Sequence, residues 1–182
     1  MRTLLSAAAL LLLSAPSLSA QAPMEDVLWV ASRGSTKLYK VARFGTVEQQ
    51  VDMKSNGFTL RGVFRAPDGK LWLINYITAT FTILDRSGKL LKNVNVSYTP
   101  YAAAFDKKGN AWIAGSNTGT VYRYDAAGKF LKSYYVGSSP LGIAVDYTMP
   151  TQSGHVWVAH RIGPPGMVSR IDIATGKVTN HP

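Results

Sequence analysis

The sequence predicts an all-β fold made of repeated four-stranded antiparallel units, and three observations carry that expectation. Four tryptophans, Trp29, Trp72, Trp112 and Trp157, sit in matching surroundings, "DVLWVAS", "GKLWLINY", "GNAWIAGS" and "GHVWVAHR", at intervals of 43, 40 and 45 residues. Helical periodicity is absent beyond residue 20, and Gly or Pro breaks almost every window of about a dozen residues. Short apolar or alternating stretches of about five or six residues are separated by Gly turns, the pattern of an antiparallel meander.

Each element follows from its own stretch. Ahead of the last three tryptophans, "LRGVFRAPDGK", "YAAAFDKKGN" and "LGIAVDYTMPTQSGH" each read as one strand and a reversal, with Asp68, Asp106 and Asp146 leading into the Gly turn. The Trp segments form the second strand and are apolar at consecutive positions, as in "VLWVA" and "AWIAG", which calls for cover on both faces. "FTILDRSGK", "TVYRYDAAGK" and "VSRIDIATGK" supply a third strand and its turn, and stretches such as "LLKNVNV" and "FLKSYYV" the fourth. Repeats of about 40 to 45 residues with four strands each match β-propeller blades, which makes the tryptophans inter-blade core residues.

The first unit begins directly with its Trp strand, so the expected total is fifteen strands, three and then three sets of four, in about four blades. Rings of this kind run from about 4 to 8 blades, so an open arc or partial propeller is expected. Its uncovered end faces would be apolar, and patches of that kind mark association. Self-association or a partner completing the ring, or a truncated reading frame, would account for them.

The first twenty residues, "MRTLLSAAALLLLSAPSLSA", have one Arg, a short apolar run and small residues before Ala20, the layout of a secretory signal peptide. The domains are then a signal peptide at 1–20 and the propeller at 21–182, with an exported, periplasmic or extracellular protein as the expected product and no transmembrane segment in the mature chain. The chain has no cysteine, which excludes disulfides, thiolate chemistry and Cys-ligated zinc. A formal charge of +10 favours anionic partners. For an exported chain these are envelope polymers and lipid headgroups, and nucleic acid is disfavoured.

The blade grammar, "G-[NKH]-x-W-[VIL]", then "[IVL]-x-D-x-x-G-K" and a "P-x-[GA]-[IA]-A-x-D" strand, resembles the streptogramin lyase (virginiamycin B lyase-like) and NHL-type propellers over roughly Val27 to Pro182. The resemblance implies a ring of six or seven blades. For the lyases it also implies elimination by histidine and glutamate near a bound Mg2+, with blades reading W-F-T-E. Here the four copies read "WVAS", "WLIN", "WIAG" and "WVAH", ending in Ser32, Asn75, Gly115 and His160, with no glutamate in any.

In a meander the loop after each Trp strand shares a face with the links between blades. This upper face collects Ser32, Arg33, Asn75, Tyr76, Ser116, Asn117, His160 and Arg161, together with Phe58, Tyr98, Tyr101, Ser138 and Ser139 from the links. Polar groups and rings around a central depression suit a small polar ligand or polymer. The expected ligand contacts are Ser32, Arg33, Asn75, Tyr76, Asn117, Arg161, Tyr98 and Tyr101. The opposite face carries Lys70, Lys89, Lys107, Lys108, Lys129 and Lys177 and is expected to be strongly positive.

Catalytic groups are few. Asp68, Asp85, Asp106, Asp125, Asp146 and Asp172 recur in turns, where Asp caps its own backbone. His155 and His160 bracket one strand about 16 Å apart and cannot share a metal; no metal site is expected. No G-x-S-x-G elbow and no Walker loop occurs. His160 is the best candidate for a catalytic base. The expectation is therefore a non-catalytic binding module without a cofactor, the alternative being a lyase-like enzyme using Mg2+ or a truncated remnant of one.

Overall fold

The structure, a computed structural model, describes residues 27–33, 35–53, 60–146, 154–161 and 167–182. The expected signal peptide and Phe58 lie outside the described residues. Fifteen strands occur among them, grouped as one three-stranded sheet and three four-stranded sheets. The first blade holds β1 (Val27–Ala31), β2 (Lys37–Ala42) and β3 (Val47–Asp52). The second holds β4 (Leu60–Arg65), β5 (Leu71–Asn75), β6 (Thr80–Leu84) and β7 (Leu90–Asn95). β8 (Pro100–Phe105), β9 (Ala111–Gly115), β10 (Thr120–Tyr124) and β11 (Phe130–Tyr135) make the third, and β12 (Pro140–Asp146), β13 (His155–His160), β14 (Val168–Asp172) and β15 (Val178–His181) the fourth. Strands pair antiparallel in sequence order within every sheet, as a meander requires.

The hairpins close for a local reason. Asp85 Oδ1 accepts from the backbone N–H of Ser87 and Lys89, both at 2.9 Å, and Asp125 does the same for Ala127 and Lys129. Asp106 holds Lys108 and Asn110, and Asp172 holds Thr175. A short carboxylate thus satisfies turn amides that the ladder leaves free. The Ser87 hydroxyl, which donates to Asp85 at 2.7 Å, and then the turn amides hold Asp85 below the usual carboxylate range, and the Thr175 amide does so first for Asp172.

Three cores separate the four blades. Trp29, Leu38 and Met53 pack against Leu60, Leu71, Leu73 and Leu84. Trp72, Ile74, Phe81 and Ile83 meet Ala103, Phe105, Ile113 and Tyr124. Trp112, Val121, Tyr134 and Val136 meet Val156, Val158 and Ile171. β5 and β9 are buried at every position, which is why their sequences are apolar without alternation. The outer strands β3, β7 and β11 are mostly exposed.

The turn after the third strand of each later blade also seals its predecessor. Gly88 has φ +88°, and a Cβ there would stand 2.8 Å from the ring of Trp29 in the first blade. Only glycine meets both demands. On the lower face the turns that bring Lys70, Lys89, Lys107, Lys108, Lys129 and Lys177, with Arg43 and Arg86, also bring the carboxylates Asp68, Asp85, Asp125 and Asp172. Lys70 pairs with Asp68 at 2.6 Å.

Candidate functional site

The upper face is fixed by backbone hydrogen bonds between the two loop types. Ser116 N–H donates to Thr99 C=O at 2.9 Å, and Arg161 N–H to Ser139 C=O at 3.0 Å, so each Trp-strand loop sits beside the link entering its own blade. The first strands β4, β8 and β12 begin here, and each carries an irregularity at its start. In β4 the register passes from Leu60 to Gly62, in β8 from Pro100 to Ala103, and in β12 from Pro140 to Gly142. The residues left out of register are Arg61, Tyr101 with Ala102, and Leu141. A bulge of this kind releases one side chain from the sheet and re-aims it.

Two of those released side chains build the floor of a cavity of about 210 Å³ lined by Arg33, Leu60, Arg61, Tyr76, Ile77, Tyr101 and Arg161. All four blades contribute: Arg33 from the first, Arg61 and Tyr76 from the second, Tyr101 from the third and Arg161 from the fourth. The Arg61 guanidinium lies 4.1 Å from the centre of the Tyr101 ring and donates to a tyrosine oxygen, that of Tyr101 itself. Tyr76 meets Tyr101 edge to face with centroids 5.9 Å apart. Arg33 and Arg161 are exposed, and among the described residues no carboxylate pairs with either of them or with Arg61.

Of the sequence-expected contacts, Arg33, Tyr76, Tyr101 and Arg161 come together in this cavity. Ser32 is half-buried beside it in the chain, and its backbone closes the β1–β2 hairpin by donating to Lys37. Asn117 is exposed but works as a cap, its Oδ1 accepting from Thr99 N–H at 2.7 Å. Tyr98 and Asn75 do not reach a ligand surface, being 2% and 0% exposed. Tyr98 stacks on Tyr122 with centroids 3.7 Å apart and donates to the Tyr124 hydroxyl at 3.1 Å. Burial, and then Tyr124 beside it, push the Tyr98 hydroxyl far above its usual range. Burial also raises Tyr124.

The position three residues after the tryptophan is a strut in the second and fourth blades. In the second blade Asn75 donates to Thr82 at 3.2 Å and Thr82 to Asn93 at 2.8 Å, a chain of bonds across three strands. The fourth blade repeats it with His160, Ser169 and Asn180: His160 Nε2 lies 2.8 Å from Ser169 Oγ, and Ser169 Oγ 2.7 Å from Asn180 Oδ1. His160 Nδ1 lies 2.7 Å from the Ser138 carbonyl, which can only accept, so Nδ1 carries a proton. Both ring nitrogens are therefore engaged in hydrogen bonds within the fourth blade and the link that enters it. In the third blade the position is Gly115, where a Cβ would stand 2.7 Å from the Tyr122 ring and 3.0 Å from Tyr98. The glycine there makes room for the tyrosine stack.

The residues missed from sequence are Arg61 and the cavity partners Leu60 and Ile77. Arg61 aligns with Tyr101 one blade later, and that alignment was the available signal.

The fold has close counterparts among solved structures. A streptogramin B lyase structure superposes with a TM-score of 0.73 at 16% identity, over 87% of this chain and 52% of that one. The chain has a β-propeller fold. A catalytically inactive virginiamycin B lyase from Staphylococcus aureus, crystallised with quinupristin, gives 0.72 at 14% identity with the same coverage. BBS1N in complex with ARL6DN gives 0.69 at 13%, covering 85% of this chain and 49% of that one. The chain thus spans about half the length of these propellers. No protein-family model and no curated protein sequence matches it.

The resemblance to the lyases raises the question of Mg2+, and the upper face does not fit it. Magnesium takes carboxylate oxygens and waters, whereas this cavity is lined by three arginines. Among the described residues no group of three His, Cys, Asp or Glu could hold a metal. No helix among them is long and apolar enough to cross a membrane.

Proposed function

We propose that this protein is an exported propeller module that binds a small polar or polymeric ligand on its upper face without transforming it. The observation that carries this reading is the convergence of side chains from four blades on one cavity. Tyrosine rings there supply contact area and guanidinium groups supply orientation, the composition of a recognition site. Export rests on the first twenty residues, and intact-mass measurement of the secreted chain should find Gln21 at its N-terminus.

The test of the binding reading is Tyr76→Ala together with Tyr101→Ala. Ligand-dependent thermal stabilisation should disappear while the unliganded melting temperature moves little, because both rings are partly exposed. Retention of full stabilisation would overturn it. A second reading, a lyase-like enzyme or its remnant with His160 as base, is favoured by the rank of the streptogramin lyases among similar folds. It requires an elimination activity that depends on added magnesium and is lost in His160→Ala.

A further inference from the structure

We propose that the upper-face cavity is an oxyanion site whose ligand, a small compound bearing two or more carboxylate or phosphate groups, bridges the first and last blades. The proposal deepens the binding reading above and rests on it. Arg61 is held in place: it packs over the Tyr101 ring at 4.1 Å and hydrogen-bonds to that residue's hydroxyl, so its fork is oriented before any ligand arrives. Arg33 and Arg161 approach the same 210 Å³ space from opposite ends of the arc and lack carboxylate partners among the described residues. Three like charges lining one small cavity repel one another unless an anion lies between them.

One arginine elsewhere in the molecule, likewise packed on an aromatic ring, is neutralised by an internal acid. Arg123 makes a 2.9 Å ion pair with Asp106 and packs 4.7 Å from the centre of the Trp112 ring, a fully internal arrangement. Arg61 has an aromatic support of the same kind in Tyr101 but no internal acid, and the ligand takes the place of Asp106. Guanidinium forks match carboxylate and phosphate geometry through paired N–H donors, which argues against a neutral sugar as the preferred ligand. The alternative opening, lined by Val63, Phe64, Arg65, Ala66, Pro67, Ala103, Ala104 and Phe105, carries a single charge and offers no such set.

Bridging has a mechanical consequence. Arg33 belongs to the first blade and Arg161 to the fourth, so an anion held by both ties the ends of the arc together. Binding energy then appears as protection of β1, β2, β13 and β14, remote from each other in sequence.

The experiment is calorimetric titration of citrate, of pyrophosphate and of neutral trehalose at matched ionic strength. Wild-type protein, Arg61→Gln, the double variant Arg33→Gln/Arg161→Gln and a lower-face control, Lys89→Gln, are compared. Citrate or pyrophosphate should bind the wild type and the control equally, and Arg61→Gln should weaken binding about tenfold or more, the loss expected for a charge-assisted hydrogen bond. The double variant should in addition lose the ligand-dependent slowing of amide exchange in β1 and β13. The stronger of the two anions identifies the source chemistry. Anion binding that is equal in all variants would overturn the proposal. Trehalose binding that survives Arg61→Gln and is lost in Tyr76→Ala would overturn it while leaving the binding module intact. Binding of none of the three probes would overturn the anion site, and the binding reading then stands or falls on its own tyrosine test.

Discussion

The four blades carry the same repeat, yet Trp29, Trp72 and Trp112 each pack into a core shared with the next blade, whereas Trp157 lies in none of the three inter-blade cores. Trp72 and Trp112 are 1% and 0% exposed. Trp72 stacks on Phe81 at 4.9 Å and meets Phe105 edge-on at 5.7 Å. Trp112 packs on Tyr134 and donates through Nε1 to Asp106 at 3.2 Å. Trp157, on the far face of the fourth blade, is half-buried among His155, Arg170 and His181. On the first blade the residues facing away from the second, Leu28 and Val30, are 65% and 40% exposed. An apolar blade strand is therefore a demand for a neighbour, and the repeat alone does not meet it. Burial, and with it stability, belongs to the interfaces between blades.

The largest effect should come from the tryptophans. Trp112→Ala removes a fully buried ring and leaves Asp106 without one of its donors, at a cost of about 3–5 kcal/mol, whereas Trp157→Ala should cost less than about half of that. Urea unfolding of the two variants decides this, and equal losses would break the contrast between middle and end blades.

Alkaline pH should strike the interface between the second and third blades next. Tyr98 and Tyr124 have hydroxyls raised above the ordinary value of 10.0 by burial. Their contribution is complete below pH 10.0 and is lost as pH rises toward the folded values, because the unfolded chain ionises first. Stability measured between neutral pH and pH 11 should fall in the wild type and fall less steeply in Tyr98→Phe.

Glycines at matching turns sharpen the comparison. Gly45 in the first blade has φ +84° with nothing near its Cβ position, whereas at Gly88 a Cβ would strike Trp29. Gly45→Ala should cost about 1 kcal/mol from backbone strain alone. Gly88→Ala should cost more than twice that, with loss of tryptophan fluorescence constancy as the Trp29 ring shifts.

A smaller effect is expected at the strut. His160→Ala breaks bonds to Ser138 and Ser169 and should cost about 1–2 kcal/mol. His160→Asn, which copies the second blade's Asn75, should recover part of the loss. The smallest effect is acidic: Asp85 and Asp172 lie below the ordinary 3.8, so what they add is present above pH 3.8 and lost as pH falls through their folded values. Melting temperatures of Asp172→Asn and wild type should therefore converge at low pH.

Much of this architecture could be read from the residues. The Trp spacing, the Asp–Gly turns and the count of three and then three sets of four strands all follow from local rules, since a hairpin is decided within about ten residues. The site was only partly legible. Loop position placed Arg33, Tyr76, Tyr101 and Arg161 on one face, but exposure depends on what packs above a residue. Tyr98 and Asn75 occupy the same face and are turned inward, one by stacking on Tyr122 and the other by bonding to Thr82. Arg61 was hidden because a bulge is a property of strand pairing, with no residue signature of its own in "LRGVF". His160 drew attention as a rare residue, and its role as a strut emerges only from partners nine and twenty-two residues away.

Amide hydrogen exchange of the unliganded protein tests the division between middle and end blades most directly. Amides in β5 and β9, enclosed on both faces, should exchange at least about a hundredfold more slowly than those in β2 and β14. Equal protection across all four blades would contradict it.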